Sequence, residues 1–199
     1  MQATMKAEEA DATRPADPLA VRLAHDVDGT FEAVVIAHAD LVYGLALRST
    51  RDPAAAEDLA QDAFVRAFRA LAGYPPQRIR ALHLRPWLAR VTINLARNRA
   101  RDRLARPAQA PLDEAHQEVA DAAPRPEEAV LQRESAAAWQ ARLAALPPHY
   151  GLAVELRHVH GLSYVEMAEA LGRPVNTVKV HVHRGLALLR AAYEEETQP

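Results

Sequence analysis

The sequence predicts an all-α protein made of two small helical bundles joined by a flexible linker. Three observations predict it. Outside the ends and the linker, apolar residues recur at three- and four-residue spacing, the period of a helix with one buried face. No stretch keeps the two-residue alternation of a half-buried strand. Residues 104–126 carry Pro107, Pro111, Pro124 and Pro126 among alanines and acids, a composition that extends a chain rather than packing it. The expected division is a disordered extension at 1–28, a first bundle at 29–103, the linker at 104–126, a second bundle at 127–193 and a polar tail at 194–199.

The elements follow in order. Phe31, Val34, Val35, His38, Leu41, Val42 and Leu45 place a helix over 31–46. Asp52-Pro53 is an N-cap followed by proline at the first helical position. The helix it starts carries the stripe Ala56, Leu59, Ala60, Ala63, Phe64, Ala67, Phe68 and Leu71. A loop, GYPPQRIRALHLR, leads to a further helix with Trp87, Leu88, Val91 and Leu95 on one face. Beyond the linker, 127–146 reads as an alanine-rich helix with Leu131, Trp139 and Leu143, and Pro147-Pro148 restarts a helix to about His158. Ser163 with Glu166 forms a capping box, Gly172 suits the left-handed residue that ends that helix, and Pro174 opens the last one, to about Tyr193.

Two stretches carry the candidate chemistry. On the helix after the loop, Arg90, Asn94, Arg97 and Arg101 share one face opposite the apolar stripe. Residues 85–103 hold six arginines against the single acid Asp102, a net +5 in a chain whose net charge is −2. Arginines so arranged suit a phosphate backbone. Asn94 differs, because its amide both donates and accepts and so can read a base edge. Charge alone leaves a plain solvated face open; its concentration in an otherwise acidic chain favours nucleic acid. The second stretch is a helix-turn-helix pattern, Ala168, Gly172 and Val178 at spacings of four and six, which lets two helices cross closely. Val178, Val182, Leu186 and Leu189 then face inward, and Asn176, Lys179, Val180, His183 and Arg184 face a major groove.

Several function classes fall away. The chain has no cysteine, so it makes no disulfide, thiolate metal site or cysteine nucleophile. No apolar run approaches the roughly 20 residues of a membrane helix, and the acidic N-terminus is not a secretion signal. His158/His160 and His181/His183 are two apart, a poor spacing for chelation on a helix, so neither metal nor cofactor is expected. Asp58 and Asp62, one turn apart, read as a partner-binding face rather than as paired catalytic carboxylates. The rival readings are an operator-binding dimer, for which no dimer segment is evident, and a metal-dependent nuclease using Asp58 and Asp62.

In this order, AEDLAQDAFVRAFRAL (56–71), PWLARVTINLARNRARDR (86–103), a proline-rich linker and LPPHYGLAVELRHVHGLSYVEMAEALGRPVNTVKVHVHRGLALLR (146–190), the chain resembles a bacterial RNA polymerase sigma factor of the extracytoplasmic-function type. The resemblance implies a cytoplasmic, non-enzymatic initiation subunit, monomeric when free, that binds the β and β′ subunits of core RNA polymerase and promoter DNA, with an anti-sigma factor as inhibitor. It implies that Asp58, Leu59, Gln61, Asp62, Phe64 and Val65 dock on polymerase. It assigns Arg85, Trp87, Arg90, Asn94, Arg97, Asn98 and Arg101 to the −10 element, with the loop 73–85 pocketing a flipped base. It assigns Val175, Asn176, Thr177, Lys179, Val180, His181, His183 and Arg184 to the −35 element. The family often has small or basic residues where this chain has Val180, His181 and His183.

Overall fold

The computed structural model describes residues 16–105, 139 and 141–197, and among them every regular element is a helix. The first half holds α1 (Pro18–Leu23), α2 (Val27–Thr50), α3 (Pro53–Ala72), α4 (Pro76–Arg80) and α5 (Leu84–Ala105). The second holds a helical stretch at 141–145, then α6 (Pro148–His158), α7 (Tyr164–Leu171) and α8 (Val175–Thr197). Residues 1–15, the linker from 106 to 126 and most of the expected helix at 127–146 lie outside the described residues.

The start and stop signals act as local chemistry requires. Asp52 accepts from the backbone of Ala54 and Ala55, and Pro53 occupies the first turn of α3. Arg51 ends α2 in the left-handed region at φ 58°. The box at α7 is reciprocal: Ser163 Oγ accepts from Glu166 N–H at 3.2 Å, and a Glu166 carboxylate oxygen accepts from Ser163 N–H at 2.7 Å. Gly172 closes α7 at φ 61°, where a side chain would be strained.

Four expectations change. The fold begins well before residue 29: Asp17 caps α1, and Ala20 and Leu23 are fully buried in the first core. Six residues make too short a periodic pattern to stand out from an acidic, proline-containing extension. The loop 73–85 contains α4, whose Ile79 is buried. The tail is helical as far as Thr197. Finally, α2 is long and apolar enough to cross a membrane, with mean hydropathy 1.4 over an 18-residue window. Its Val34, Leu41, Val42, Leu45 and Ala46 are buried against the rest of the chain, so its apolar length serves a core.

The first core gathers α1 to α5 around Val34, Leu59, Leu71, Leu84, Leu88 and Leu95. Phe31 meets Phe68 edge-on at 5.1 Å between ring centroids, and Tyr74 meets Trp87 at 6.3 Å. A second cluster joins the two halves. Leu41 and Leu45 of α2 and Ala89 and Ile93 of α5 pack with Leu156, Leu162, Met167, Ala170, Val178 and Val182. Leu143 and Leu146 pack on Val154 in a third cluster.

The burial of α1 sets a stability test. Leu23→Ala removes a fully buried side chain and should lower the unfolding free energy by roughly 2–5 kcal/mol in urea titration. A loss below about 0.5 kcal/mol would place α1 outside the core.

Candidate nucleic-acid and polymerase surfaces

The helix α5 divides its circumference three ways. Leu88 and Leu95 face the first core, Ala89 and Ile93 face the second half, and Asn94, Arg97, Asn98 and Arg101 are exposed. An open depression runs between these polar side chains and Ala100. The Arg101 guanidinium donates to Asn98 Oδ1, which leaves Asn94 and Arg97 the least encumbered of the four. The expected −10 residues thus separate into two groups. Arg85 and Arg90 are turned onto the second half, donating to the carbonyls of His160 and Glu169. Trp87, expected at the DNA, is 9% exposed and belongs to the core beside Tyr74. Its place in the apolar stripe already predicts burial.

On α3, Asp58, Gln61, Asp62 and Val65 are exposed along one face, and Phe64 is half-buried against Phe31. Leu59, assigned by resemblance to docking, is 1% exposed and supports that face from within. Asp62 is held by Arg99 of α5, so the acidic face and the basic helix are joined at one point. An exposed pair of this kind contributes about 0–1 kcal/mol and orients more than it stabilises.

In the second half, Val178 and Val182 are buried between α7 and α8, as the helix-turn-helix pattern requires. Asn176, Lys179, Val180, His183 and Arg184 are exposed, and Val175 and Thr177 are partly covered. His181 turns back instead: its ring lies 5.0 Å from His149 and 5.5 Å from Tyr150 of α6. Desolvation, then the neighbouring His149, Arg173 and Arg184, hold its pKa below the ordinary 6.5. Arg184 Nη1 meets the Tyr150 hydroxyl at 3.3 Å. The exposed face turned away from α6 is therefore Asn176, Lys179, Val180 and His183, with Lys179 Nζ 5.7 Å from the Tyr164 ring centroid of α7.

Sequence reasoning missed the groups between the halves. Glu155 of α6 is wholly buried, its Oε2 2.9 Å from Arg48 Nη1 of α2 and its Oε1 3.6 Å from His160 Nε2. One signal was available, a lone acid inside the apolar run LAVEL. Nearby, a cavity of 280 Å³ is lined by Asp17, His38, His83, Arg85 and Glu166 among others. Burial lowers the His38 pKa from 6.5, Asp17 opposes that and Arg85 adds to it.

Sigma-70 region 2 matches residues 34–106, and Sigma-70, region 4 matches residues 136–189. The chain is 36% identical over 175 residues to the ECF RNA polymerase sigma factor SigE of Mycolicibacterium smegmatis, covering 84% of this chain and 64% of that protein's length. It is 32% identical over 169 residues to the ECF RNA polymerase sigma factor SigW of Bacillus subtilis, covering 80% and 87%. Two solved structures share the fold. CnrH, in complex with the cytosolic domain of CnrY, superposes with TM-score 0.65 at 23% identity, covering 90% of this chain and 97% of that one. The sigma factor RpoE from Bartonella quintana, in complex with the anti-sigma factor NepR, gives 0.59 at 18%, covering 82% and 96%.

The His38 environment predicts a pH effect. A histidine pKa lowered in the folded state means that the unfolded chain binds the proton more readily. Its contribution to stability is therefore complete above 6.5 and is lost as pH falls from 6.5 towards the folded value. The wild type should lose more stability between about pH 7 and pH 5 than His38→Asn, by thermal unfolding at each pH. Parallel curves would refute the assignment.

Proposed function

The chain belongs to the sigma-70 family, in its extracytoplasmic-function group, and from that premise we propose how its two halves divide the recognition of a promoter. It is an initiation factor that directs transcription with core RNA polymerase and catalyses no reaction of its own. Its work is binding, so the function must be read from surfaces. The observation that carries the finer reading is the polar face of α5, where Asn94, Arg97, Asn98 and Arg101 stay exposed on a helix whose other faces are buried.

In this reading Arg97 and Arg101 hold the phosphates of the displaced strand near −10, and Asn94 reads a base edge. Melting then needs no ATP, because capture of unstacked bases offsets the cost of opening. The loop from Gly73 to Arg85 forms the wall of the base pocket. In it Arg78 lies 3.7 Å above the Tyr74 ring, which in turn meets Trp87. The face of α8 with Asn176, Lys179, Val180 and His183 enters the major groove at −35. Of those four only Lys179 carries a fixed charge, which makes the face a shape and methyl reader more than a charge reader.

Asp58, Gln61, Asp62 and Val65 form the polymerase-docking face of α3, by the resemblance to the β′-binding segment of the family. The factor acts in the cytoplasm with polymerase. An anti-sigma partner is extended to it from the complex of RpoE with the anti-sigma factor NepR.

Three outcomes test the reading. Asp58→Lys with Gln61→Lys avoids the Asp62–Arg99 pair, and should abolish co-purification with core polymerase while leaving helical content unchanged. Retained binding would remove this face from the docking surface. On holoenzyme with pre-melted fork templates, Arg97→Ala and Arg101→Ala should weaken binding alike for all sequences, each lowering the salt slope by about one. Asn94→Ala should instead relax discrimination at a single −10 position, by roughly 1–3 kcal/mol. Equal loss on every base would make Asn94 a structural residue.

A further inference from the structure

The row proposed to face the bases occupies one side of α8 only. Successive residues step by about 100° around a helix, so His181 and Arg184 stand beside the row of Asn176, Val180 and His183, on the flank that meets α6. Three rings gather there. His149 lies 4.0 Å from Tyr150, and His181 lies 5.0 Å from His149 and 5.5 Å from Tyr150, centroid to centroid. Arg184 Nη1 joins them at the Tyr150 hydroxyl, 3.3 Å away. Gly185 permits the approach. It is buried, and a Cβ on it would lie 2.5 Å from Val154 Cγ2 and 3.2 Å from the Tyr150 carbonyl.

Packing alone does not call for this cluster. His149 and Arg184 are exposed and His181 is only partly covered, so the rings bury little apolar surface. The charges also share one sign. His181 is faced by His149 and Tyr150 from α6, by Arg173 from the turn before α8 and by Arg184 on its own helix. After desolvation, His149, Arg173 and Arg184 all act to keep the proton off it, and among the described residues no carboxylate acts against them. Basic groups gathered without an acid suit an anion. Beside a helix lying in a major groove about 12 Å wide, the anion at hand is a backbone phosphate.

We propose that His149, His181 and Arg184 form a phosphate site on one wall of the −35 groove, and that the phosphate draws a proton from solvent onto the imidazole pair as it binds. The placement rests on the reading of α8 as the −35 helix. Arg184 supplies the fixed charge, steadied by Tyr150, and the protonated imidazole donates its N–H to a phosphate oxygen. Lys179, on the other flank of the row, is left for the opposite wall. The sign of the pH effect follows. Neighbouring cations disfavour the imidazolium in the free chain, and a bound phosphate favours it. The complex therefore holds more protons than its separate parts, and affinity rises as pH falls through about 6.5, levelling off once the free chain is protonated as well.

The test uses the full chain and a random-sequence duplex of about 20 base pairs at low salt, with binding followed by fluorescence anisotropy. Between about pH 7.5 and 5.5 the wild type should tighten about tenfold, the effect of a one-unit shift in an imidazole pKa on binding. His149→Gln with His181→Gln should keep at most about a third of that gain, with helical content unchanged. His183→Gln, on the base-facing row, should keep all of it. His149→Arg, a fixed charge at an exposed position, should tighten binding at pH 7.5 and flatten the profile. Calorimetry at about pH 6.5 in buffers of different ionisation enthalpy should show uptake of about one proton by the wild type and little by the double variant, a difference that a merely structural role would not produce. Equal gains in the wild type and the double variant, or a gain lost with His183 alone, would overturn the site. The readout needs neither polymerase nor a particular sequence, so the two readings can fail separately. A chain with the pH step that supports no run-off transcription with core polymerase keeps the phosphate site and loses the sigma reading.

Discussion

Everything in this protein depends on how one helix spends its circumference. α5 must bury one face against the first bundle and a second against α7 and α8, and it must keep a third, basic face in water. The apolar faces are what hold six arginines in register. Without Leu88, Leu95, Ala89 and Ile93 anchoring it, so cationic a segment would have little reason to stay helical, because like charges along one face repel. The core therefore presents the face proposed for nucleic acid as much as it stabilises the fold.

The same division explains why the first half needs so many helices to hold one short polar face in water. α1, α2 and α3 build the floor on which α5 lies, with Leu23, Val34, Leu59 and Leu71 fully buried or nearly so. The turn of α4 then fixes the approach to Leu84, whose backbone N–H donates to Asp17 at 3.3 Å. Asp17 also caps α1. One carboxylate thus ties the first element of the fold to the start of α5. At the other edge, Arg99 and Asp62 tie that helix to the face proposed for polymerase.

Much of this was legible in the sequence, and the misses have physical causes. The long helices, the Asp52-Pro53 start, the capping box at Ser163 and Gly172 all show in local chemistry, which sequence displays directly. So does the exposed face at Asn94, Arg97 and Arg101. α1 was missed because six residues cannot show a period. Trp87 and Leu59, assigned to binding by resemblance, lie on the apolar stripes of their helices, and both are buried, as those stripes predict. The contact between the halves was hidden for another reason. Ala89 and Ile93 fall beside the main apolar stripe of α5, and their partners Leu162 and Met167 lie some 70 residues further along. Glu155 offered a hint, but an acid in an apolar run does not name the arginine that answers it.

The central claim is that the water-facing side of α5 meets the promoter strand. The most direct measurement is photo-crosslinking from a photoreactive residue at position 94, in holoenzyme poised on a promoter carrying its open bubble. This account predicts crosslinks confined to the non-template strand at the −10 element. Crosslinks to polymerase alone, or spread evenly over duplex DNA, would contradict it.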